Sequence, residues 1–346
     1  MMGVGEDHAD AMEQRIAAFL SHRMPQASDV AVDELRRIHG GSSQETFRLR
    51  ARWREGSGPV CRQFVLRRAP PAGLVGAEHD LEYRVYRALE QSSVPVPRVH
   101  FLELDASWLE RPFFVMDLCE GKPGHPYAPG DPYDGHGEMV ARQFWHHLGT
   151  LAAVDHKTAG LQSLRNGEAM SGFWAHELDH WEAAVGVADV LVQPAVSGAI
   201  RWLRRNPPGE PARPSIVYGD YRSGNFLFTP NGQISAILDW EMCHVGDPLE
   251  DVAWALDPFW PMTRHLPLDE GLATWEAASG LALNRAALEW WRLFTTVKCV
   301  AIWATAEAAF ASGDNREMVV GMSALRAGHF HRKQLLAQMA LRGAMG

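Results

Sequence analysis

The sequence IVYGDYRSGNFLFTPNGQISAILDWEMCHVGDPLEDVAW, residues 216–254, decides the fold of this chain. It begins with a short apolar strand that ends at Gly219-Asp220, and a polar loop leads from there to Asn225. Two apolar runs then flank Asn231-Gly232, a pair typical of the turn of a β-hairpin. The second run ends at Asp239. The pattern therefore predicts a hairpin that carries Asn225 and Asp239 on neighbouring strand ends, facing the loop of Asp220.

These three side chains have the types and the order that phosphoryl transfer requires. Mg²⁺ prefers oxygen ligands, and a carboxylate must orient and deprotonate the attacking hydroxyl. Kinases supply an Asp-x-x-x-x-Asn loop and a later Asp before an aromatic residue. We therefore assign Asp220 as the catalytic base and Asn225 and Asp239 as magnesium ligands. Arg222 takes the place of a phosphate-contacting lysine, and Glu241 is either a support for a second metal or a surface carboxylate.

The stretch, with Gly246-Asp247-Pro248 and Asp251 near its end, resembles the catalytic core of the aminoglycoside phosphotransferase and choline kinase superfamily. Within it, GDYRSGN…ILDWEMCHVGDPLEDVAW is most similar to the kinase domains related to those fused to acyl-CoA dehydrogenases. The resemblance implies an α+β, bilobal protein-kinase-like fold that uses ATP and Mg²⁺. Residues 1–118 would form a nucleotide-binding lobe with an antiparallel sheet and a helix, and residues 119–346 a mainly helical catalytic and substrate lobe.

One residue of the catalytic stretch departs from the family, and two others have the character of scaffold. Tyr218 stands where the family usually has a histidine that braces the catalytic loop, and its hydroxyl is expected to keep that bracing role. Asp247 and Asp251 lie around a helix start. Asp247 suits the N-cap and Pro248 the first helical position.

The N-terminal part contains three candidate strands, residues 30–38, 45–53 and 60–68, after a short amphipathic helix over residues 10–23. The first two strands flank a loop with glycines and serines, whose backbone N–H groups would cover nucleotide phosphates. A simple turn is the alternative. The predicted contacts are Gly40, Gly41, Ser42 and Ser43.

The third strand ends in Arg67-Arg68, where the kinase pattern has a lysine that binds phosphates and pairs with a helix glutamate. We assign Arg67 to that role, with Arg68 as the alternative. A helix over residues 78–90 offers Glu82 as its partner, with Glu78 one turn earlier as the alternative. Because arginine and lysine are not interchangeable at phosphate sites, the replacement is a departure from the family.

Two further strands are predicted over residues 99–104 and 112–118, and the second precedes a Pro/Gly-rich run that suits a lobe boundary. In the protein-kinase-like fold this strand leads into the hinge, where backbone groups of Met116 and Leu118 would bind the adenine edge. Helices are predicted beyond it over these residues: 138–155, 171–191, 195–204, 249–256, 269–278, 285–310 and 317–340.

Composition limits the possible partners and location. The 346 residues carry a net charge of −9, which gives no attraction for nucleic acid. The four cysteines form no C-x-x-C pair and are expected to be buried thiols, and the sixteen histidines show no metal-ligand spacing. No secretory signal and no membrane span are expected, so the chain is predicted to be cytosolic.

The acceptor is predicted from the last 66 residues, where the superfamily binds its acceptor. Eight Lys and Arg against four Asp and Glu leave an excess of 8 − 4 = 4 positive charges there, unfavourable for a polycationic aminoglycoside. Tryptophans crowd the region after residue 253. Most of them are expected to belong to the core, and any that line a pocket would suit an apolar acceptor. The resemblance points to a hydroxyacyl-CoA-like hydroxyl acceptor. The alternatives are an aminoglycoside, a choline-type amino alcohol, or a nucleotide-binding pseudokinase scaffold.

Overall fold

The computed structural model describes residues 4–38, 44–56, 58–69, 80–125, 130–187, 193–315 and 318–344. The chain divides into two compact units. One comprises Met1–Gln91 and Val96–Glu120, and the other comprises Ser92–Pro95 and Gly121–Gly346. The lobe boundary after residue 118 stays a prediction.

The N-terminal unit is a five-stranded antiparallel sheet with two helices. Its elements are α1 (Val4–Arg23), β1 (Ser28–Ile38), β2 (Glu45–Glu55), β3 (Gly58–Arg68), α2 (Leu81–Leu89), β4 (Val99–Glu103) and β5 (Phe113–Asp117). The strand order is β1-β2-β3-β5-β4. All five predicted strands are present, and their ends differ from the predictions by a few residues at most.

Alternation along the strands separates the two faces of this sheet. On β3, Phe64 and Leu66 enter the core that Phe19 of α1 also occupies. Val65 and Arg67 therefore point to the opposite face. The same strand corrects the cysteine prediction, because Cys61 is exposed, whereas Cys243 and Cys299 in the other unit are buried.

The C-terminal unit is mainly helical, with two small sheets. Its helices are α3 (Gly137–Ala153), α4 (Phe173–Val187), α5 (Pro194–Arg205), α6 (Leu249–Ala255), α7 (Leu268–Ser279), α8 (Arg285–Ser312) and α9 (Met318–Ala344). Its strands are β6 (Lys122–Pro123), β7 (Ser215–Val217), β8 (Phe226–Phe228), β9 (Ile234–Ile237) and β10 (His244–Gly246). β8 pairs with both β6 and β9, and β7 pairs with β10. The sequence did not predict β6 or β10.

Helix α8 supplies much of the interior of this unit. It begins at a capped end, because the Asn284 side chain accepts a hydrogen bond from Ala287 N, and it ends before Gly313 in a left-handed conformation. Trp290, Trp291 and Phe294 are all buried. Helix α8 is long and apolar enough to cross a membrane, but buried core helices of globular proteins meet the same criterion. Of its most apolar 18-residue segment, 56% is buried inside the protein.

Candidate active site

The predicted hairpin forms and brings Asn225 and Asp239 onto neighbouring strand ends. β8 pairs with β9 in antiparallel register, and the turn between them is closed by Gly232 at a φ of +78°. Leu238 N donates to the Asn225 carbonyl at 2.9 Å, just beyond the paired strands. Asn225 thus immediately precedes β8, and Asp239 follows β9 with only Leu238 between them.

The carboxylate of Asp220 is held by two neighbours from its own loop. Asn225 Nδ2 donates to Asp220 Oδ2 at 2.6 Å, and Arg222 Nε donates to Asp220 Oδ1 at 2.9 Å. The side chain is 16% exposed. Burial raises the pKa of Asp220, the Arg222 charge opposes that rise, and the Asp239 charge adds to it. The electrostatic effect of Asp239 means that the two carboxylates lie close enough to repel each other.

Arg222 is turned towards Asp220. Besides that ion pair, its Nη1 donates to the Ser223 carbonyl at 3.2 Å, and its guanidinium carbon lies 5.6 Å from the centre of the Trp260 ring. The side chain is 27% exposed. Its predicted phosphate contact stays a prediction.

The residues predicted to hold Mg²⁺ fit an oxygen-ligand site. Because Nδ2 of Asn225 is committed to Asp220, its amide oxygen is the atom that could ligate a cation. Asp239 adopts a left-handed backbone with a φ of +70°, which aspartate tolerates better than most residues other than glycine. Two mutually repelling carboxylates and an amide oxygen form a donor set that suits a hard cation. Glu241 is exposed.

Asp251 fixes the backbone before Asp220. Its carboxylate accepts hydrogen bonds from Tyr218 N at 2.7 Å and from Gly219 N at 2.9 Å. Gly219 has a φ of +88°, and a Cβ there would lie 2.7 Å from the Met242 carbonyl, so no larger residue fits without a shift. Burial raises the pKa of Asp251 to about 6, although these two hydrogen bonds act to lower it.

Asp247 supports the start of α6 and also reaches α8. Its Oδ1 accepts a hydrogen bond from Leu249 N, and its Oδ2 accepts one from Trp291 Nε1, each at 2.9 Å. The helix begins at Leu249, as predicted, but Pro248 is its N-cap, so Asp247 lies one position before the cap predicted for it. Such one-residue shifts are within the uncertainty of assigning helix ends.

Tyr218 links the catalytic loop to the hairpin. Its hydroxyl donates a hydrogen bond to the Leu238 carbonyl, directly before Asp239. Its ring packs edge-on against Trp240, with the ring centres 4.7 Å apart. Tyrosine therefore forms a brace at this position.

Ser223 anchors the middle of the loop, a role that the sequence did not predict. The hydroxyls of Ser223 and Tyr133 lie 2.7 Å apart, and Ser223 also donates to the Gly124 carbonyl at 2.7 Å. Tyr133 lies 90 residues away in the chain, so no local pattern could have revealed the pair. Burial raises the pKa of Tyr133 to about 12, which keeps its hydroxyl protonated.

In the N-terminal unit, the structure places Arg67 against Glu82. Arg67 Nε and Glu82 Oε2 are 3.1 Å apart, and the side chains are 11% and 1% exposed. Gln44 Nε2 donates to the same oxygen at 3.1 Å, and Tyr86 OH donates to Oε1 at 3.4 Å. Glu82 is therefore an anchored acceptor within helix α2.

Arg68 points to the other face of the sheet and binds a different carboxylate. Its Nη2 donates to Glu45 Oε2 at 2.8 Å, its Nη1 donates to the Leu109 carbonyl, and its guanidinium lies over the Phe47 ring. Glu45 also accepts from Arg111. Of the two candidate arginines, only Arg67 contacts Glu82 in the described part of the chain.

The remaining predicted nucleotide contacts are only partly described. Met116 is buried in β5, in register with Val65 of β3. Leu118 N donates to the Gln63 carbonyl at 3.4 Å, a long hydrogen bond. Gly40, Gly41, Ser42, Ser43 and Glu78 lie outside the described residues.

A buried group of charges packs behind the catalytic loop. Lys298 Nζ lies 2.9 Å from Glu250 Oε1, and His244 Nε2 lies 3.2 Å from Glu250 Oε2 and 3.4 Å from Glu177 Oε1. Arg165 forms an ion pair with Glu177. Burial opposes ionisation of Glu250, but Lys298 and His244 outweigh it and lower its pKa. Glu177, His244 and Glu250 lie close enough to hold a metal ion. Lys298, His244 and Arg165 pair with the two carboxylates, and Glu177 Oε2 is a buried oxygen without a hydrogen-bond partner among the described residues.

A second buried group, Asp257, Cys299 and His331, is also close enough to hold a metal ion. Its polar atoms have protein partners. His331 Nε2 lies 3.3 Å from Asp257 Oδ1, and Trp303 Nε1 donates to His331 Nδ1 at 3.2 Å. His331 Nδ1 also lies 2.8 Å from the Ala327 carbonyl, so both ring nitrogens have protein partners and ordinary polar packing accounts for the group.

Of two expectations about the acceptor region, one needs correction and the other is confirmed. Lys298, one of the eight cations counted there, is 1% exposed and neutralised by Glu250, so it adds no charge to an accessible pocket. Most of the tryptophans there are core residues with exposures of 3% or less. They are Trp254, Trp260, Trp275, Trp290 and Trp291. Trp303 is partly buried.

Comparison with known proteins bears on the family and the fold of the chain. The model of a family described as "Phosphotransferase enzyme family" matches residues 34–292. The chain is 30% identical to acyl-CoA dehydrogenase family member 10 of Mus musculus over 64% of this chain and 20% of the relative. It is 29% identical to acyl-CoA dehydrogenase family member 11 of Gallus gallus over 67% of this chain and 29% of the relative. The chain thus spans only about a fifth to a third of these relatives.

Solved structures share the fold. A candidate aminoglycoside phosphotransferase from Ralstonia eutropha superposes with a TM-score of 0.69 at 22% identity, covering 93% of this chain and 95% of that chain. A thermostable mutant of aminoglycoside phosphotransferase APH(4)-Ia, in complex with AMP-PNP and hygromycin B, gives a TM-score of 0.61 at 18% identity, covering 93% and 97%. These likenesses confirm the predicted α+β, kinase-like fold. By the family match over most of its length, the chain belongs to the phosphotransferase enzyme family, as an enzyme of the small-molecule kinase class.

Proposed function

We propose that the chain transfers the γ-phosphoryl group of ATP, in the presence of Mg²⁺, to a hydroxyl of a hydroxyacyl-CoA-like small molecule. One observation carries the proposal of phosphoryl transfer. The Asp220 carboxylate is held by Asn225 at 2.6 Å and by Arg222 at 2.9 Å, on a loop next to Asp239. This arrangement matches the order of catalytic groups in kinases.

Asp220 orients the acceptor hydroxyl and takes its proton as the new bond forms. The acceptor oxygen bonds to the γ-phosphorus, the bond from that phosphorus to the β,γ-bridging oxygen breaks, and ADP leaves. Because such transition states are largely dissociative, orientation of the hydroxyl contributes more than early removal of its proton. Mg²⁺ held by Asn225 and Asp239 would neutralise charge on the phosphates.

Arg67 would bind the nucleotide phosphates while Glu82 fixes its guanidinium. Arginine can contact phosphate through two N–H groups, and the side chain retains 11% exposure. Structures of the same fold have been solved with AMP-PNP and with GDP, which supports nucleotide binding here. ATP and GTP are to be compared in the assay.

The acceptor class rests on the relatives, which are named as acyl-CoA dehydrogenase family members. An enzyme related to such proteins is suited to an acceptor from acyl-CoA metabolism. The second candidate is an aminoglycoside, because a structure of the same fold contains hygromycin B. A choline-type amino alcohol completes the panel.

A transfer assay with three acceptor classes tests the proposal. The purified chain is incubated with Mg-ATP or Mg-GTP and with hydroxyacyl-CoAs, aminoglycosides or amino alcohols, and the phosphorylated product is identified by mass spectrometry. We expect transfer to hydroxyacyl-CoA that is lost in Asp220→Ala. Transfer to aminoglycosides alone would refute the acyl-CoA acceptor but not phosphoryl transfer. Nucleotide binding without phosphoryl transfer to any of the three acceptor classes would contradict the proposed kinase activity on all of them.

A further inference from the structure

We infer that Lys298 is a positioning residue for phosphoryl transfer, which holds the backbone carbonyl immediately before Asp220. The inference rests on the proposed role of Asp220 as the base. No motif of the catalytic stretch includes Lys298, which lies in helix α8, 79 residues from the carbonyl that it binds.

The contacts of Lys298 are those of an anchored ammonium group. Its Nζ donates to the Gly219 carbonyl at 2.7 Å and to Glu250 Oε1 at 2.9 Å. It also lies 4.7 Å from the centre of the Trp254 ring. The side chain is 1% exposed, and burying a lysine is costly unless its charge is paired and its donors are used.

Lys298 completes a clamp that Asp251 begins. Asp251 accepts the N–H groups of Tyr218 and Gly219, which fixes the peptide bonds on both sides of Tyr218. Lys298 fixes the carbonyl of the next peptide bond, between Gly219 and Asp220. Gly219 has a left-handed φ of +88° and no side chain, so these external contacts set the orientation of the peptide bonds that flank it. The backbone of Asp220 is therefore aimed by groups outside its own loop.

Glu250 is the fixed point against which Lys298 is held. Its second oxygen contacts His244 Nε2 at 3.2 Å, and His244 leads on to Glu177 and Arg165. An ion pair formed only for stability needs no third partner on the catalytic loop. Here the same ammonium binds both Glu250 and the Gly219 carbonyl, so displacement of Lys298 changes the geometry of the loop.

The test uses a double variant that keeps the buried charge balanced. Lys298→Met alone would leave Glu250 buried without its lysine and could unfold the chain. Lys298→Met/Glu250→Gln removes both charges, and glutamine can still accept a hydrogen bond from His244. The control is Arg332→Met/Glu307→Gln, which removes an arginine–glutamate ion pair elsewhere in the unit, 2.6 Å between the charged atoms, with side chains 30% and 33% exposed. Arg332 belongs to α9 and Glu307 to α8, and within the described part of the chain no hydrogen bond or ion pair joins either of them to residues 216–225.

Two readouts separate positioning from stability. We expect kcat to fall about 10- to 100-fold in the Lys298 double variant, because misplacement of a catalytic group by about 1 Å costs that much, with KM for nucleotide changed less than about twofold. Hydrogen exchange of peptides covering residues 216–225 should be faster in this variant only. A kcat and loop exchange equal to those of the control would overturn the inference. If the unmodified chain phosphorylates no acceptor of the panel, the proposed function fails, and loop exchange alone still decides whether Lys298 holds the loop.

Discussion

The guanidinium of Arg67 lies 3.1 Å from the carboxylate of Glu82, and the side chains are 11% and 1% exposed. The kinase pattern has a lysine–glutamate pair in this place. Arginine keeps the positive charge and the pairing, although its planar group binds phosphate with a different geometry. The departure therefore changes the chemical group that would contact phosphate and preserves its anchoring by the helix.

Replacement of Arg67 tests its role in nucleotide binding. Arg67→Met should raise KM for ATP about tenfold or more, because one charge-assisted contact to phosphate contributes about 1.5–3 kcal/mol. Arg67→Lys should recover part of the affinity. The measurement is KM for ATP at saturating acceptor, supported by calorimetric titration with Mg-ATP.

The matched control is Arg68→Met on the same strand. Its guanidinium binds Glu45 on the opposite face of the sheet, so this change should lower the melting temperature and leave KM for ATP nearly unchanged. An equal rise of KM in both variants would contradict the assignment of Arg67.

Conversion of Asp220 to its amide tests the base. Asp220→Asn keeps the shape of the side chain, and the hydrogen bond to Arg222 can reorganise. The carboxylate that orients and deprotonates the acceptor hydroxyl is lost. We expect kcat to fall by about 10²–10⁴-fold, with nucleotide affinity retained. Rapid-quench assay of product, with Mg-ATP binding measured in parallel, provides the check. Activity above about a tenth of the original would show that another group serves as base.

The hairpin could be predicted from sequence because its signals are local. Asn231-Gly232 between two apolar runs specifies the turn, and the turn fixes which residues lie at the strand ends. The arrangement of Asn225 beside Asp239 follows from that register. Glu82 could also be found from local signals, since the helix that carries it is the next predicted element after the strand of Arg67.

The supports of the loop could not be predicted, because they come from distant parts of the chain. Ser223 meets Tyr133 across 90 residues, and Gly219 meets Lys298 across 79. Pairing of β10 with β7 likewise joins segments that are distant in the sequence. One signal was nevertheless present. Lys298 is the single charged residue in the apolar run from Leu293 to Trp303, and a lone lysine there indicates a buried, paired ammonium.

Removal of the Tyr218 hydroxyl tests the brace between the loop and the hairpin. Tyr218→Phe keeps the ring against Trp240 and loses the hydrogen bond to the Leu238 carbonyl. We expect a loss of about 1 kcal/mol in the free energy of unfolding. We also expect kcat to fall severalfold, because Leu238 directly precedes Asp239. Urea unfolding and steady-state kinetics measure the two effects.

Ser215→Ala provides the comparison for Tyr218→Phe. It removes another buried hydroxyl-to-carbonyl hydrogen bond, from Ser215 Oγ to Ala152 at 2.8 Å, and should cost similar stability with little change in kcat. Equal effects of the two variants on kcat would mean that the hydroxyl of Tyr218 serves stability alone.

His147 should make the stability of the fold depend on pH. Burial, with a smaller effect from the His146 charge, lowers the pKa of His147 from 6.5 to about 4. Between these values the unfolded chain binds a proton that the folded chain does not, so stability is full above about pH 6.5 and falls as the pH decreases. At about pH 5 the loss should be on the order of 2 kcal/mol. His147→Gln, compared with the exposed neighbour variant His146→Gln, should flatten the dependence of the unfolding free energy on pH, measured in urea at about pH 7.5 and 5. Parallel pH profiles for the original chain and His147→Gln would exclude His147 as the titrating group.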